Sequence, residues 1–164
     1  DLVRRCPKLD EQLMNGDELW TRVLFLNANK VVFSKGCYVY LRRKGSISNN
    51  LNAKSFDVFR VQEELLHLLR ENNFDHKTVA ICKKDLLFRT KTHTLRYIFA
   101  KRFFDSEEKT KAKKTLSDAW KMSFRECWYA PRFYLTLLKV WQTLLRYKKY
   151  LNLQKKLKKK GLIN

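Results

Sequence analysis

The sequence predicts a mainly helical protein with a small β portion. Four glycines and two prolines among 164 residues leave few tight turns, which favours long helices with short connections. Hydrophobic residues make up 45% of the chain and aromatic residues 13%, enough to bury one hydrophobic core. Apolar residues recur at helical spacing after residue 55, whereas a β-branched and aromatic stretch stands before residue 42.

The first unit, residues 1–50, is predicted to contain one helix and two short strands. The helix begins near Asp17 in GDELWTRVLF, because acidic residues in a first turn favour the helix dipole. Strands are expected over residues 30–41, where KVVF and CYVYL surround the turn signal SKG, and the polar loop RRKGSISNN ends the unit. The apolar residues expected to face the core from the helix are Leu19, Trp20, Val23 and Leu24.

The second unit, residues 51–164, is predicted to be a helical extension. One helical pattern runs from Phe56 to residue 70, and a second covers residues 77–103. Asp105, three residues before a glutamate, has the form of a capping box at the start of a third helix. Pro131 is suited to the first turn of the last helix.

Cysteine and histidine spacing predicts no metal site and no disulfide framework. The four cysteines form no Cys-x-x-Cys pair, and His76 and His93 have no partner at metal-ligand spacing. His67 stands among leucines at helical spacing and is expected to be a core or boundary residue rather than a ligand. We therefore expect reduced, mostly buried thiols in a cytosolic protein. No run approaches the roughly 18 uncharged apolar residues of a membrane-spanning helix, so no span is predicted.

The acidic pair that opens the first helix allows two interpretations. Asp17 and Glu18 precede an apolar run in a chain with a formal net charge of +20. As helix-capping residues they would satisfy free backbone N–H groups. Alternatively, a carboxylate at the mouth of this helix can accept a proton from a bound hydroxyl, as a general base does.

Residues 9–48, LDEQLMNGDELWTRVLFLNANKVVFSKGCYVYLRRKGSIS, resemble the downstream end of the catalytic domain in family 2 glycosyltransferases of the GT-A fold. In that family an acidic pair opens a helix like ELWTRVL, followed by a strand like KVVFS, an aromatic strand with a Tyr-x-Tyr like YVY, and a basic loop ending like SIS. The order and spacing agree. The resemblance implies the distal end of a GT-A α/β domain, followed by the helical extension.

The resemblance also implies site residues. Asp17 would be the catalytic base, deprotonating an acceptor sugar hydroxyl that attacks the anomeric carbon of a nucleotide-sugar with inversion. Gly16 stands where the family usually has its first acidic residue, so Glu18 is expected to share that work. Arg42 and Arg43 would lie near the acceptor and pyrophosphate, where planar charged groups suit phosphate recognition, unless they form a solvated loop. Trp20 is either part of an acceptor platform or a core aromatic residue.

Such an enzyme needs parts that this sequence does not contain. The family holds a divalent metal, Mg or Mn, and the diphosphate with an Asp-x-Asp pair, and no Asp-x-Asp occurs here. We therefore expect the C-terminal part of a longer enzyme that builds a surface polysaccharide or glycolipid, with no metal bound by this part. Its partners would be a nucleotide-sugar donor and a glycan or glycolipid acceptor.

The last helix is basic and amphipathic, which leaves three interpretations open. Its wide apolar surface packs on the helices of residues 56–103, or it binds an anionic membrane surface from the cytoplasmic side. Alternatively its lysines and rings bind nucleic acid, and the chain is then a free-standing basic helical module for nucleic acid or an acidic partner. The residues expected at a membrane surface are Arg132, Lys139, Trp141, Arg146, Lys148 and Lys149.

Overall fold

The computed structural model describes residues 16–32, 35–36 and 53–159, and helix accounts for 87% of them. Two 3-10 helices are also present: Ala53–Asp57 directly precedes the α-helix that begins at Val58, and Lys101–Phe103 directly follows the α-helix that ends at Ala100. The five α-helices are α1 (Gly16–Asn27), α2 (Val58–Glu71), α3 (His76–Ala100), α4 (Ser106–Cys127) and α5 (Pro131–Lys159).

Local signals account for where the later helices begin. Asp75 caps α3 by accepting a hydrogen bond from the backbone N–H of Thr78 at 2.9 Å. Asp105 caps α4 in the same way, accepting from the backbone N–H of Glu108 at 2.7 Å. Pro131 is the first residue of α5. The predicted starts of α4 and α5 are therefore confirmed.

The turn between α2 and α3 is tight. Asn73 has a φ of 52°, in the left-handed region that asparagine tolerates better than most residues. The backbone N–H of Phe74 donates to the carbonyl of Leu69 at 3.0 Å, which closes the end of α2. This confirms that the helix predicted through residue 70 ends in ENNFD.

Helices α2, α3 and α4 enclose the main hydrophobic core. Phe56, just before α2, and Leu86 on α3 are completely buried, and Leu19 extends the core to α1. A smaller cluster joins α3, α4 and α5 through Leu87, Cys127 and Phe133. The remaining members of the main core are Val58, Phe59, Val61, Leu65, Leu66, Leu69, Cys82, Phe104, Ala112, Leu116, Ala119 and Met122.

The predicted β portion is wrong for the described part of the chain, and so is the expected distal end of a GT-A α/β domain. Lys30–Val32 and residues 35–36 are not in strands, and the other residues of the predicted hairpin lie outside the described ranges. Val31 and Val32 are exposed. Because an isolated hairpin is marginally stable in water, β-branched residues do not make a strand unless a neighbouring sheet or helix covers them.

Candidate functional site

The two carboxylates that open α1 lie in different environments. Asp17 is exposed, and its Oδ1 accepts a hydrogen bond from the backbone N–H of Glu18 at 2.9 Å. The side chain of Glu18 is partly buried, with Oε1 2.9 Å from Arg22 and 2.8 Å from Arg89. Glu18 therefore fastens α1 to α3, whereas the carboxylate of Asp17 is accessible from solvent.

The contact with Arg89 continues into a chain of polar side chains. Arg89 Nε donates to Asp85 at 2.7 Å, and the same carboxylate oxygen accepts from Gln62 at 2.6 Å. The thiol of Cys82 donates to Gln62 Oε1 at 3.5 Å. Burial disfavours the charged form of Arg89, but the carboxylates of Asp85 and Glu18 outweigh that effect and raise its pKa. One polar chain thus links α1, α3 and α2.

The thiols in the described part of the chain are not nucleophiles. Burial, with the charge of Asp85 adding to it, raises the pKa of Cys82 to about 11, and burial also raises the pKa of Cys127. Both thiols are free and buried, as predicted for most of the cysteines. Cys6 and Cys37 lie outside the described residues.

A cleft of about 760 Å³ opens between α1, α2 and α3, beside the polar chain. Apolar side chains form much of its lining, and two of them, Phe25 and Ile81, are more than half exposed. This cleft was not among the features predicted from the sequence. One signal was available in the sequence: Phe25 and Ile81 are apolar, but neither falls on the face of its helix that carries the buried apolar residues. The other lining residues are Arg22, Leu26, Leu65, Leu69, Phe74, Thr78, Cys82, Asp85 and Arg89.

The other predicted site residues of the first unit are only partly described. Trp20 is partly buried on α1. Its burial fits neither a fully buried core residue nor a fully exposed acceptor platform. Arg42 and Arg43 lie outside the described residues. Of the predicted site residues in this unit, Asp17, Glu18 and Trp20 are described, and all three lie near the start of α1.

A buried acidic site joins α2, α3 and α4. The carboxylate of Glu126 is buried on α4, where it pairs with Arg70 of α2 and lies 3.4 Å from Lys83 of α3. Lys83 Nζ is also 3.2 Å from the hydroxyl of Tyr129. Burial by itself raises the pKa of Glu126, but the two cations outweigh it, and the pKa lies below its usual value. A third cation, Arg125, lies 3.5 Å from Glu126 Oε1, and the carboxylate therefore ties α2 and α3 to α4.

Helix α5 has apolar residues on two sides. On the inner side, Phe133 and Val140 are buried, and Tyr147 packs edge-to-face on Phe99 of α3 with ring centroids 4.9 Å apart. On the outer side lies an outer strip of exposed residues at helical spacing: Tyr134, Leu138, Trp141 and Leu145. The predicted basic residues of α5 are also exposed: Arg132, Lys139, Arg146, Lys148 and Lys149.

Among the described residues, no three histidine, cysteine, aspartate or glutamate side chains are grouped so that they could hold a metal ion. In the same ranges, no helix combines the length and the apolar character needed to cross a bilayer. No family model matches the chain, and comparisons with curated proteins and with solved structures find no match. The function must therefore be argued from the residues themselves.

Proposed function

We propose that the chain is part of an inverting glycosyltransferase, which moves a sugar from a nucleotide-sugar to a hydroxyl of a glycan or lipid-linked acceptor. The proposal starts from the resemblance of residues 9–48 to family 2 glycosyltransferases. The observation that supports it most directly is that two adjacent carboxylates have different surroundings. Glu18 is held by Arg22 and Arg89, whereas Asp17 is exposed at the start of a firmly docked helix.

A general base must be held in place and must be reachable by the hydroxyl that it deprotonates. Leu19 and Val23 bury one side of α1 and Glu18 pairs with Arg89, so the backbone of Asp17 has a fixed position. In the proposed step, the acceptor oxygen bonds to the anomeric carbon and its proton passes to the Asp17 carboxylate. The bond from that carbon to the diphosphate breaks, and the nucleoside diphosphate leaves.

We assign roles to the neighbouring residues from the contacts of Glu18 and from the resemblance of residues 9–48 to the family. Glu18 acts as a positioning residue, because both of its cationic partners tie it to the protein. Arg42 and Arg43 are proposed to bind acceptor or pyrophosphate, and Trp20 to border the acceptor. The described residues do not fit a divalent metal, so we assign Mg or Mn to donor-binding parts of a longer protein.

Asp17→Asn tests the proposal in the complete protein encoded by the reading frame that contains this chain. Release of nucleoside diphosphate is followed with a panel of nucleotide-sugars and with glycan or lipid-linked acceptors. Removing a general base should lower kcat by about 100-fold or more. The thermal midpoint should change little, because Asp17 is exposed.

Glu18→Gln is the matched control. It should lower the thermal midpoint more than Asp17→Asn does, because Arg22 and Arg89 lose their charged partner, and it should lower kcat less. If Asp17→Asn turns over at the wild-type rate, Asp17 is not the base. If no nucleotide-sugar is consumed with any acceptor, the glycosyltransferase proposal is wrong.

A second candidate is a free-standing basic helical module that binds nucleic acid or an acidic partner. It is favoured by the ion pairs of the described residues, which lie within α1 to α4 and include no basic residue of α5. The cations of α5 are thus available to an external anion. Binding of single-stranded RNA in the nanomolar range, together with no sugar transfer, would favour this candidate.

A further inference from the structure

The outer strip of α5 is apolar surface that the helix bundle does not cover. Its four side chains, Tyr134, Leu138, Trp141 and Leu145, are between 46% and 60% exposed. They follow one another at intervals of four, three and four residues, so they share one face over about 16 Å of helix. A helix that is apolar on opposite sides is normally covered on both. Among the described residues, this helix is covered on the side where Phe133, Val140 and Tyr147 pack.

The surroundings of the outer strip are strongly cationic. Lys148 and Lys149 follow Leu145 and, at 100° per residue, flank the continued line of the strip on its two sides. Arg132, Lys139 and Arg146 are exposed along the same helix, and α5 contains no aspartate or glutamate. Lys148 and Lys149 therefore border the apolar strip with positive charge, and Arg132, Lys139 and Arg146 add positive charge on a neighbouring side of the helix.

This chemistry distinguishes the candidate occupants. A second copy of the chain would bring the same positive charges, so face-to-face pairing is repelled. A nucleic acid would satisfy the charges, but two of the four strip residues are leucines, which cannot stack on bases. An anionic bilayer satisfies both features, because tyrosine and tryptophan favour the interface, leucine enters the acyl boundary, and lysine stems extend toward lipid phosphates.

We propose that the outer face of α5 binds the surface of an anionic lipid bilayer, such as the cytoplasmic leaflet. The outer strip enters the boundary between headgroups and acyl chains, and the basic residues contact lipid phosphates. This binding is peripheral. It goes beyond the proposed sugar transfer and does not depend on it.

Flotation of the full chain with vesicles tests this proposal directly. Vesicles of phosphatidylcholine alone are compared with vesicles that also contain phosphatidylglycerol. Binding should require the anionic lipid and should weaken as salt is raised. Tryptophan emission should shift to the blue on binding, and most of the shift should disappear in Trp141→Phe, because Trp141 lies in the outer strip.

Two double variants separate the charged from the apolar contribution. Lys148→Gln/Lys149→Gln should weaken vesicle binding about thirtyfold, from the typical contribution of two basic residues at an anionic surface. The matched control is Lys113→Gln/Lys114→Gln, which removes two adjacent exposed lysines from α4 and should leave binding near the wild-type level. Leu138→Ser/Leu145→Ser should weaken binding at least tenfold, whereas Phe88→Ser, at an exposed site on α3, should not.

Four results would overturn the proposal. One is no binding to anionic vesicles, and another is equal binding to neutral and anionic vesicles. A third is a dimer by light scattering that Leu138→Ser/Leu145→Ser dissociates, which would assign the outer strip to a second copy. The last is displacement of the chain from anionic vesicles by RNA at a phosphate concentration below that of the phosphatidylglycerol, which would mean that the chain prefers RNA. The solubility and circular dichroism of each variant show that it is folded.

Discussion

His93 is a buried histidine whose charge state couples stability to pH. Its ring lies edge-on to Phe56 and Phe59, with centroids 5.6 and 5.2 Å away, and Nδ1 is 3.0 Å from the carbonyl of Arg89. Burial lowers the pKa of His93, and the charges of Arg96 and Arg89 lower it further. The folded protein therefore favours the neutral imidazole.

We expect the free energy of unfolding to fall as pH drops below about 6.5, because the unfolded state then binds a proton that folded His93 resists. The contribution of His93 is complete above that pH and is lost as pH falls toward the lowered folded pKa. Urea unfolding at about pH 7.5 and about pH 5.5 measures how the free energy of unfolding changes with pH. His93→Gln should flatten this dependence of the unfolding free energy on pH. An unchanged slope in His93→Gln would contradict the assignment.

Glu126 is expected to contribute more to stability than the exposed carboxylates do. Glu126→Gln leaves Arg70 and Lys83 without their shared counter-charge, and it should lower the free energy of unfolding by about 2 kcal/mol. Glu63→Gln, which breaks an exposed pair with Arg125, should cost less than about 1 kcal/mol. Denaturant unfolding at neutral pH compares the two variants. Equal losses would mean that burial of Glu126 adds nothing.

The same carboxylate sets the acid side of the stability curve. Because the folded pKa of Glu126 is lowered, its stabilisation is complete above the unfolded pKa, near 4.5, and disappears as pH falls through the folded value. Glu126→Gln should therefore differ least from the wild type in strong acid.

At the scale of elements, α1 is joined to the bundle by two apolar residues and one ion pair. Arg89→Met should loosen α1, because Glu18 and Asp85 lose their common cation. We expect amide exchange in α1 to accelerate about tenfold while α4 keeps its protection, since α4 does not depend on this contact. Lys84→Met, one exposed lysine on the same helix, is the control. Equal acceleration in every helix would instead indicate global destabilisation.

Individual helices could be predicted better than strands. The starts at Asp105 and Pro131 depend on residues within one turn of the boundary, so the sequence displays them directly. The hairpin predicted over residues 30–41 depended on β-branched composition, and Val31 and Val32 lack any covering sheet in the described part of the chain. Strand preference depends on such cover and is overridden without it.

At the scale of the whole molecule, the arrangement of the helices was the least predictable feature. The cleft exists because α1 lies against α2 and α3, and no local pattern encodes that placement. Helix α5 shows the same limit, since its apolar residues surround much of the helix. Only packing decides that Phe133 and Val140 turn inward while Leu138 and Trp141 stay exposed. Of the candidate site, the sequence predicted the acidic pair. The different surroundings of Asp17 and Glu18 could not be predicted, because they depend on Arg89, which lies 71 positions after Glu18 in the chain.

Helix α5 extends well beyond the helices on which it packs. The helix has 29 residues and so measures about 44 Å, and Lys156 lies about 24 Å beyond Val140, its last buried residue in the described part of the chain. A flexible tail carrying the same lysines would lose about 1–2 kcal/mol of conformational entropy for each backbone residue that became ordered on contact. A continuous helix has lost that freedom already. The cations at this end of α5 are therefore already held in place along a continuous helix, and an anionic surface that bound them would not have to order them first.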